Sequence, residues 1–312
     1  MEWSVLVLVI LLINRCLSST CNQPEQYRDT EQFKHLIIGR CMNYKNDYGP
    51  RVLCDSNIQC DNLWLLIKKA VENQPKCNFT ENSYQDYLLA STHYVPENKF
   101  LFWTGVYPFV MRYSGKGMKY FTISDTLTGY IFDNIEWCGN STEVDGLEKY
   151  PGTCPGFDLD TECVRSAQSD FWATASINFA KHAYGDVQVM VNASRSPAFR
   201  DSSYFTLYEL PNLNATKVRK VTIFMVHEFG HPVRENCSSQ SIMKLKSIIQ
   251  SKGITPVCVE NPRDVQLLLC GDDPSPTECY QLFSTSKGEH LASNIILSIV
   301  FCIFLYIKTY EL

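Results

Sequence analysis

E-C-V-R-S-A-Q-S-D-F-W-A-T-A-S-I-N-F-A-K-H-A-Y-G-D-V-Q-V-M-V, from Glu162 to Val191, changes period partway along. Residues 162–184 read as a helix that carries Trp172 and Ser176 one turn apart on the same face. Val187–Val191 is a β-branched run that reads as a strand. The same alternation extends outward. Phe100–Trp103 and Val221–Val226 read as further strands. Cys60–Asn73 (Leu63, Leu66, Ile67, Ala70, Val71) and Ser239–Lys252 (Ile242, Leu245, Ile248, Ile249) have apolar residues at helical spacing. Strands separated by helices predict a mixed α/β (α+β) fold with a small parallel sheet.

The two ends read differently from the body. Val5–Ile13 is an apolar core followed by Ser18, Ser19 and Thr20, the pattern of a cleaved secretory signal over residues 1–20, although no Lys or Arg precedes it. Ile295–Ile307 is apolar but shorter than the roughly 20 residues that span a bilayer. Ser284-Thr285-Ser286, a polar spacer from Lys287 to Asn294 and this apolar run fit a glycosylphosphatidylinositol signal. Ser284 is the first choice for attachment, with Ser286 and Gly288 as rivals and residues 285–312 removed. The polar ending Lys308–Leu312 keeps a single-pass tail as the alternative. Either route puts residues 21–284 outside the cell.

The 14 cysteines include Cys16 in the signal and Cys302 in the tail. The remainder is an even set, which in a secreted chain implies disulfides, with the pairing open on sequence alone. Sequons at Asn78, Asn140, Asn192, Asn214 and Asn236 agree with that compartment. A hydrophobic share of 45% argues for a globular body, as one unit or two interwoven lobes, since no repeat or low-complexity linker divides it. With 28 basic against 33 acidic residues and no basic run, nucleic acid is excluded as a partner.

The densest chemistry lies in Phe121–Gly139, F-T-I-S-D-T-L-T-G-Y-I-F-D-N-I-E-W-C-G, where carboxylates, aromatics and a cysteine surround Gly129, read as a turn-former. Together with Phe102-Trp103-Thr104-Gly105, Phe171-Trp172, Ser176 and Tyr208-Glu209-Leu210-Pro211-Asn212-Leu213, this stretch resembles the ADP-ribosyl cyclase / NAD glycohydrolase ectoenzymes from about Gly39 to Tyr280. The anchor and an extra cysteine pair resemble the lipid-anchored, NAD-catabolising branch of parasitic flatworms. The resemblance implies a mainly helical lobe, a lobe with a short parallel sheet, and an active-site cleft between them. It also implies disulfides Cys41–Cys60, Cys77–Cys163, Cys138–Cys154, Cys237–Cys258 and Cys270–Cys279, leaving Cys21 with Cys54.

Breaking the nicotinamide–ribose bond of NAD needs no general acid, because the pyridinium leaves as a neutral ring. It needs a carboxylate to stabilise an oxocarbenium-like ribosyl cation in a dry pocket, and aromatic faces to hold the flat ring. By resemblance Glu209 is that carboxylate; read alone, a Glu in a loop before a Pro would be solvated. Trp172 would stack on nicotinamide, Trp103 close over the ribose side, Asp133 bond the leaving carboxamide and Ser176 line the ribose pocket. Thr104 and Phe205 align with positions that approach the diphosphate by backbone or side chain. Asp125 keeps the end of a family signature and reads as a turn or cap residue. Ser124 departs from the family's glutamate, which puts the ratio of products in doubt. The substrates implied are NAD and, as a second candidate, NADP, with no separate cofactor and a homodimer as candidate assembly. Cyclase, cyclic ADP-ribose hydrolase and base-exchange reactions are candidate side activities. A catalytically weak receptor or adhesion protein of the same fold is the alternative.

His227-Glu228-Phe229-Gly230-His231 spells the zinc-hydrolase H-E-x-x-H. That motif works on a helix, where both imidazoles share a face. Here it follows a strand-forming run and precedes Pro232, which cannot sit inside a helix. A zinc protease therefore ranks last, and no metal is expected.

Overall fold

In the computed structural model the described residues are 30–47, 58–139 except 73, 75, 76, 78, 80, 81, 93 and 116, then 147–148 and 165–283. The elements in chain order are helices α1 (Thr30–Asp47), α2 (Cys60–Val71) and α3 (Gln85–Ala90), strand β1 (Leu101–Thr104), helices α4 (Tyr107–Ser114), α5 (Leu127–Tyr130) and α6 (Ala167–His182), strands β2 (Gly185–Asn192) and β3 (Val218–Val226), helix α7 (Gln240–Ser251), strand β4 (Thr255–Glu260) and helix α8 (Arg263–Asp272). A two-residue antiparallel pair, Cys138–Gly139 with Leu147–Glu148, lies between α5 and α6.

Contacts group the described residues into two units: one runs up to Thr92 and resumes from Tyr130 to Thr174, and the other comprises the stretch up to Gly129 together with the residues from Ala175 onward. The first unit is helical. Phe33, Ile37, Cys41 and Tyr44 recur at helical spacing on α1 and are all fully buried. The Cys41–Cys60 disulfide ties this helix to the start of α2, and Phe33 meets Trp64 edge-on at 6.2 Å. Its second focus is aromatic. Phe132 packs at 4.2 Å from Phe171 and 4.3 Å from Trp137, and Tyr84 meets Phe171 at 5.2 Å. The polar tips are satisfied, since Trp137 Nε1 donates to the Tyr84 hydroxyl, which donates to the Ala167 carbonyl. The aromatics of Phe121–Gly139 that fall in this unit thus serve mainly as core.

The second unit holds a four-stranded parallel sheet in the order β1-β2-β3-β4. Its two central strands carry the β-branched runs read from the sequence, and Val187, Val189, Val191, Val221 and Ile223 are fully buried, as the inner strands of a parallel sheet require. On one face Leu101, Val106, Val110, Tyr113, Met190, Val226 and Val265 form a core against which Trp103 packs. On the other, Phe102 meets Phe179 of α6 at 5.3 Å. Cys237–Cys258 and Cys270–Cys279 are disulfides as implied, and Cys77 and Cys138 are also bridged. Cys154 and Cys163, and the pair Cys21 and Cys54, lie outside the described residues.

Gly129 corrects its expected role as a turn-former. It lies within α5 without a positive φ. A Cβ there would sit 2.2 Å from the Ile123 carbonyl oxygen, so glycine is required for close approach of two backbones.

Candidate active site

Glu209 ends a π-helical turn, Phe205–Glu209, which passes directly into the 3-10 turn Leu210–Asn212. The sequence supplies the cause. Pro211 has no N–H to give the Leu207 carbonyl, and its ring would crowd that carbonyl in a regular α-helix. The turn widens instead, and Leu210 N–H donates to the Phe205 carbonyl five residues back. Phe205 and Glu209 face inward, while Leu207 points out with 51% exposure. The solvated loop glutamate of the sequence reading is therefore a buried helical-turn residue, 6% exposed.

The electrostatics follow from that burial. Desolvation pushes the Glu209 carboxyl up to about 8, and a hydrogen bond from Ser176 of α6 pulls it only partly back. No lysine, arginine or histidine contributes among the described residues. A carboxyl this dry, with no cation beside it among the described residues, can attract a cation brought from outside.

The Glu209 turn is seated by Phe205, which is fully buried and packs 5.9 Å from Phe102 of β1 and 6.5 Å from Phe199. Phe205 is thus a core support. Its side chain is not available to a diphosphate, which corrects that part of its expected role. Phe102 and Phe179 are supports that the sequence reading missed, since nothing in an aromatic strand residue distinguishes a site prop from ordinary core. Thr104, buried, alternates onto the Phe102 face. Trp103 points to the opposite face, 5.6 Å from Tyr107, at the carboxyl end of its strand, where open α/β sheets bind ligands.

Ser124 and Asp125, 5% and 4% exposed, sit in a 3-10 turn, Ile123–Asp125. Asp125 Oδ2 accepts from the Thr122 backbone N–H at 2.8 Å and from its hydroxyl at 2.7 Å, so Asp125 caps the turn, as read. Thr126 repeats the device by accepting from Gly129 N–H at 3.1 Å. In the helical unit, Trp172 is 8% exposed and meets Phe171 edge-on at 5.2 Å. Beside Asp133, the Arg40 guanidinium donates to the carbonyls of Ile131 at 3.1 Å and of Asp133 at 2.5 Å.

The H-E-x-x-H residues follow the end of β3 at Val226 and form a turn closed by His231 N–H to the Glu228 carbonyl. His227 bonds Asn261 at 2.7 Å, whereas His231 is 64% exposed. The helix that would align the two imidazoles is absent. Of the sequons, Asn214 and Asn236 lie on the surface or near it, and Asn78 and Asn140 lie outside the described residues. Asn192, by contrast, is buried, with 1% exposure. Ser284, Ser286, Gly288 and the apolar tail also lie outside the described residues, and no helix among those described is long and apolar enough to cross a membrane.

With this geometry in hand, the sequence matches the ADP-ribosyl cyclase family profile over residues 30–279. The chain belongs to the ADP-ribosyl cyclase family. It is 35% identical over 269 residues to the ADP-ribosyl cyclase/cyclic ADP-ribose hydrolase of Aplysia kurodai, covering 85% of this chain and 93% of that one. The corresponding Oryctolagus cuniculus protein, ADP-ribosyl cyclase/cyclic ADP-ribose hydrolase 1, is 32% identical, with 80% and 81% covered. Among solved structures, an ADP-ribosyl cyclase complexed with N1-cIDPR superposes with a TM-score of 0.73 at 35% identity, covering 81% of this chain and 98% of that one. Porcine CD38 with a covalent intermediate superposes at 0.68 and 29% identity, covering 76% and 99%.

Proposed function

We propose that this chain cleaves the nicotinamide–ribose bond of NAD at Glu209, chiefly as a glycohydrolase. The observation that carries the proposal is the buried Glu209 carboxyl, hydrogen-bonded by Ser176, with no cation contributing to it among the described residues. As the C1′–N bond breaks, its electron pair passes to the pyridinium nitrogen, nicotinamide leaves neutral, and positive charge develops on the ribose. Glu209 faces that charge from a dry setting, where its attraction is least screened. Water then adds to C1′ and loses a proton, giving ADP-ribose; attack by adenine N1 gives cyclic ADP-ribose instead.

For Trp103 and Trp172 as aromatic faces, Asp133 as the carboxamide partner and Thr104 near the diphosphate, support comes from the family resemblance. Ser124 brings a hydroxyl where the family resemblance implies a carboxylate, and the partition between water and adenine depends on that environment. The signal and tail sequences support a lipid-anchored enzyme on the outer cell surface. Incubating the secreted ectodomain with NAD and separating nicotinamide, ADP-ribose and cyclic ADP-ribose tests the reading. Release of nicotinamide is expected, with ADP-ribose in excess; absence of nicotinamide release from folded protein overturns it in favour of a binding role.

A further inference from the structure

Two motifs that the reaction does not use, Asn192-Ala193-Ser194 and His227-Glu228, meet at the carboxyl ends of β2 and β3. Asn192 Nδ2 donates to the Gly105 carbonyl at 3.0 Å and to Glu228 Oε1 at 2.8 Å. Its Oδ1 accepts Ser194 N–H at 2.8 Å, and Ser194 Oγ accepts Glu228 N–H at 3.0 Å. Both hydrogens and the oxygen of the amide are therefore engaged, in a side chain 1% exposed. The backbone around it is fixed as well. Ala193 N–H donates to the Val226 carbonyl at 2.7 Å, and the Ala193 carbonyl accepts from Arg234 N–H at 2.8 Å and Glu235 N–H at 3.1 Å.

What this bracket grips is the turn after Trp103-Thr104. Gly105 has φ +71°, and a Cβ there would sit 2.9 Å from the Arg195 guanidinium, so the turn is special to glycine and crowded from above. The carbonyl held by Asn192 is the peptide that steers the chain out of β1. We infer that Asn192 is a positioning residue which, with Glu228, fixes the Trp103–Gly105 turn in its substrate-binding form, and that its sequon carries no glycan because the nitrogen that would bear the sugar is used inside the fold. The kinetic part rests on the NAD-cleaving reading; the glycan part does not.

The test uses the full chain expressed in a glycosylating eukaryotic host. Glycosidase release in heavy-oxygen water, followed by peptide mass spectrometry, should leave Asn192 unlabelled; label on most copies of Asn192 overturns the inference whatever the activity. Asn192→Asp keeps the shape but turns both donors into acceptors facing the Glu228 carboxylate and the Gly105 carbonyl. The KM for NAD should rise about tenfold, the value of roughly one buried hydrogen bond, while kcat stays within about threefold because Glu209 sits on a different segment. Lowering the pH should relieve the defect, by protonating one carboxyl of the new pair. Asn192→Asp with Glu228→Gln lets the amide donate in the reverse direction and should recover part of the KM. An unchanged KM in Asn192→Asp, or no recovery in the double variant, overturns the positioning role. If Asn192→Asp fails to fold, Glu228→Gln alone should raise KM less than tenfold with kcat retained, and a wild-type KM there counts against the bracket. A wild-type chain that cleaves no NAD would instead defeat the NAD-cleaving reading, and the glycan result would still judge Asn192.

Discussion

Glu209 is the residue on which the proposed chemistry turns, and its protonation gives a sharp expectation. Its carboxyl is raised to about 8 in the folded chain, against about 4.3 for an unperturbed glutamate. Between those values the native state holds a proton that the unfolded state has lost. The stability so conferred is fully present below about pH 4.3 and is lost as pH rises through about 8. Denaturant titrations of wild type and Glu209→Gln should therefore diverge over that window, with the variant flatter and relatively more stable at the alkaline end. Because the proposed reaction uses the carboxylate form, kcat/KM should climb with pH to a plateau above about 8. Bound NAD places a cationic ring near the group and lowers its pKa, so the kcat profile should titrate at lower pH. Glu209→Gln should lose on the order of a hundredfold to a thousandfold in turnover, the usual worth of one preorganised electrostatic group, while remaining folded. If turnover stays near wild type, Glu136 and Asp133 become the carboxylates to examine. Ser124→Glu should shift the proportion of cyclic to linear product, measured by chromatography, with the rate of nicotinamide release little changed.

At the scale of elements, the turn–helix segment Thr122–Tyr130 is the piece most exposed to single changes. Gly129→Ala would drive a methyl to within 2.2 Å of the Ile123 carbonyl, and backbone cannot yield as a flexible side chain can. A loss of about 1 to 3 kcal/mol in urea unfolding is expected. Asp125→Ala removes the cap on Thr122 and should cost about 1 kcal/mol. The sequence reading took Gly129 for a turn because a missing side chain looks the same whether it permits a positive φ or a close contact. Helices α2, α6 and α7 and strands β1 to β3 were legible, since apolar periodicity is written locally. Strand β4 was not, because Pro256 and Cys258 interrupt its β-branched pattern and it is defined by pairing with β3. The π-helical turn under Glu209 was also hidden. Pro211 is visible in sequence, but the inward orientation of its neighbours depends on contact with Phe102, which is distant along the chain. Family resemblance identified Glu209; only the fold explains why that residue is dry.

For the molecule as a whole, the proposed anchor predicts that a phosphatidylinositol-specific phospholipase C frees the full chain from expressing cells; retention beside a released control would favour a single-pass tail. His227→Ala and chelators should leave NAD cleavage intact in folded protein, and stoichiometric zinc lost on changing His231 would reverse that view. The way the chain divides has a further consequence, for the order of events during synthesis. A ribosome delivers the amino end first. The helical unit has its last segment once Thr174 has emerged, and α1 and α2 can be bridged through Cys41 and Cys60 long before that. Strand β1 emerges early too, yet β2, its neighbour in the sheet, starts at Gly185, and the sheet stays incomplete until Glu260. For that interval Leu101-Phe102-Trp103 waits as an apolar strand without its sheet neighbour β2, a segment for chaperones to shield and for nascent chains to mispair. Pulse-labelled chains should acquire the Cys41–Cys60 bridge well ahead of Cys237–Cys258, with aggregation-prone species concentrated in the gap.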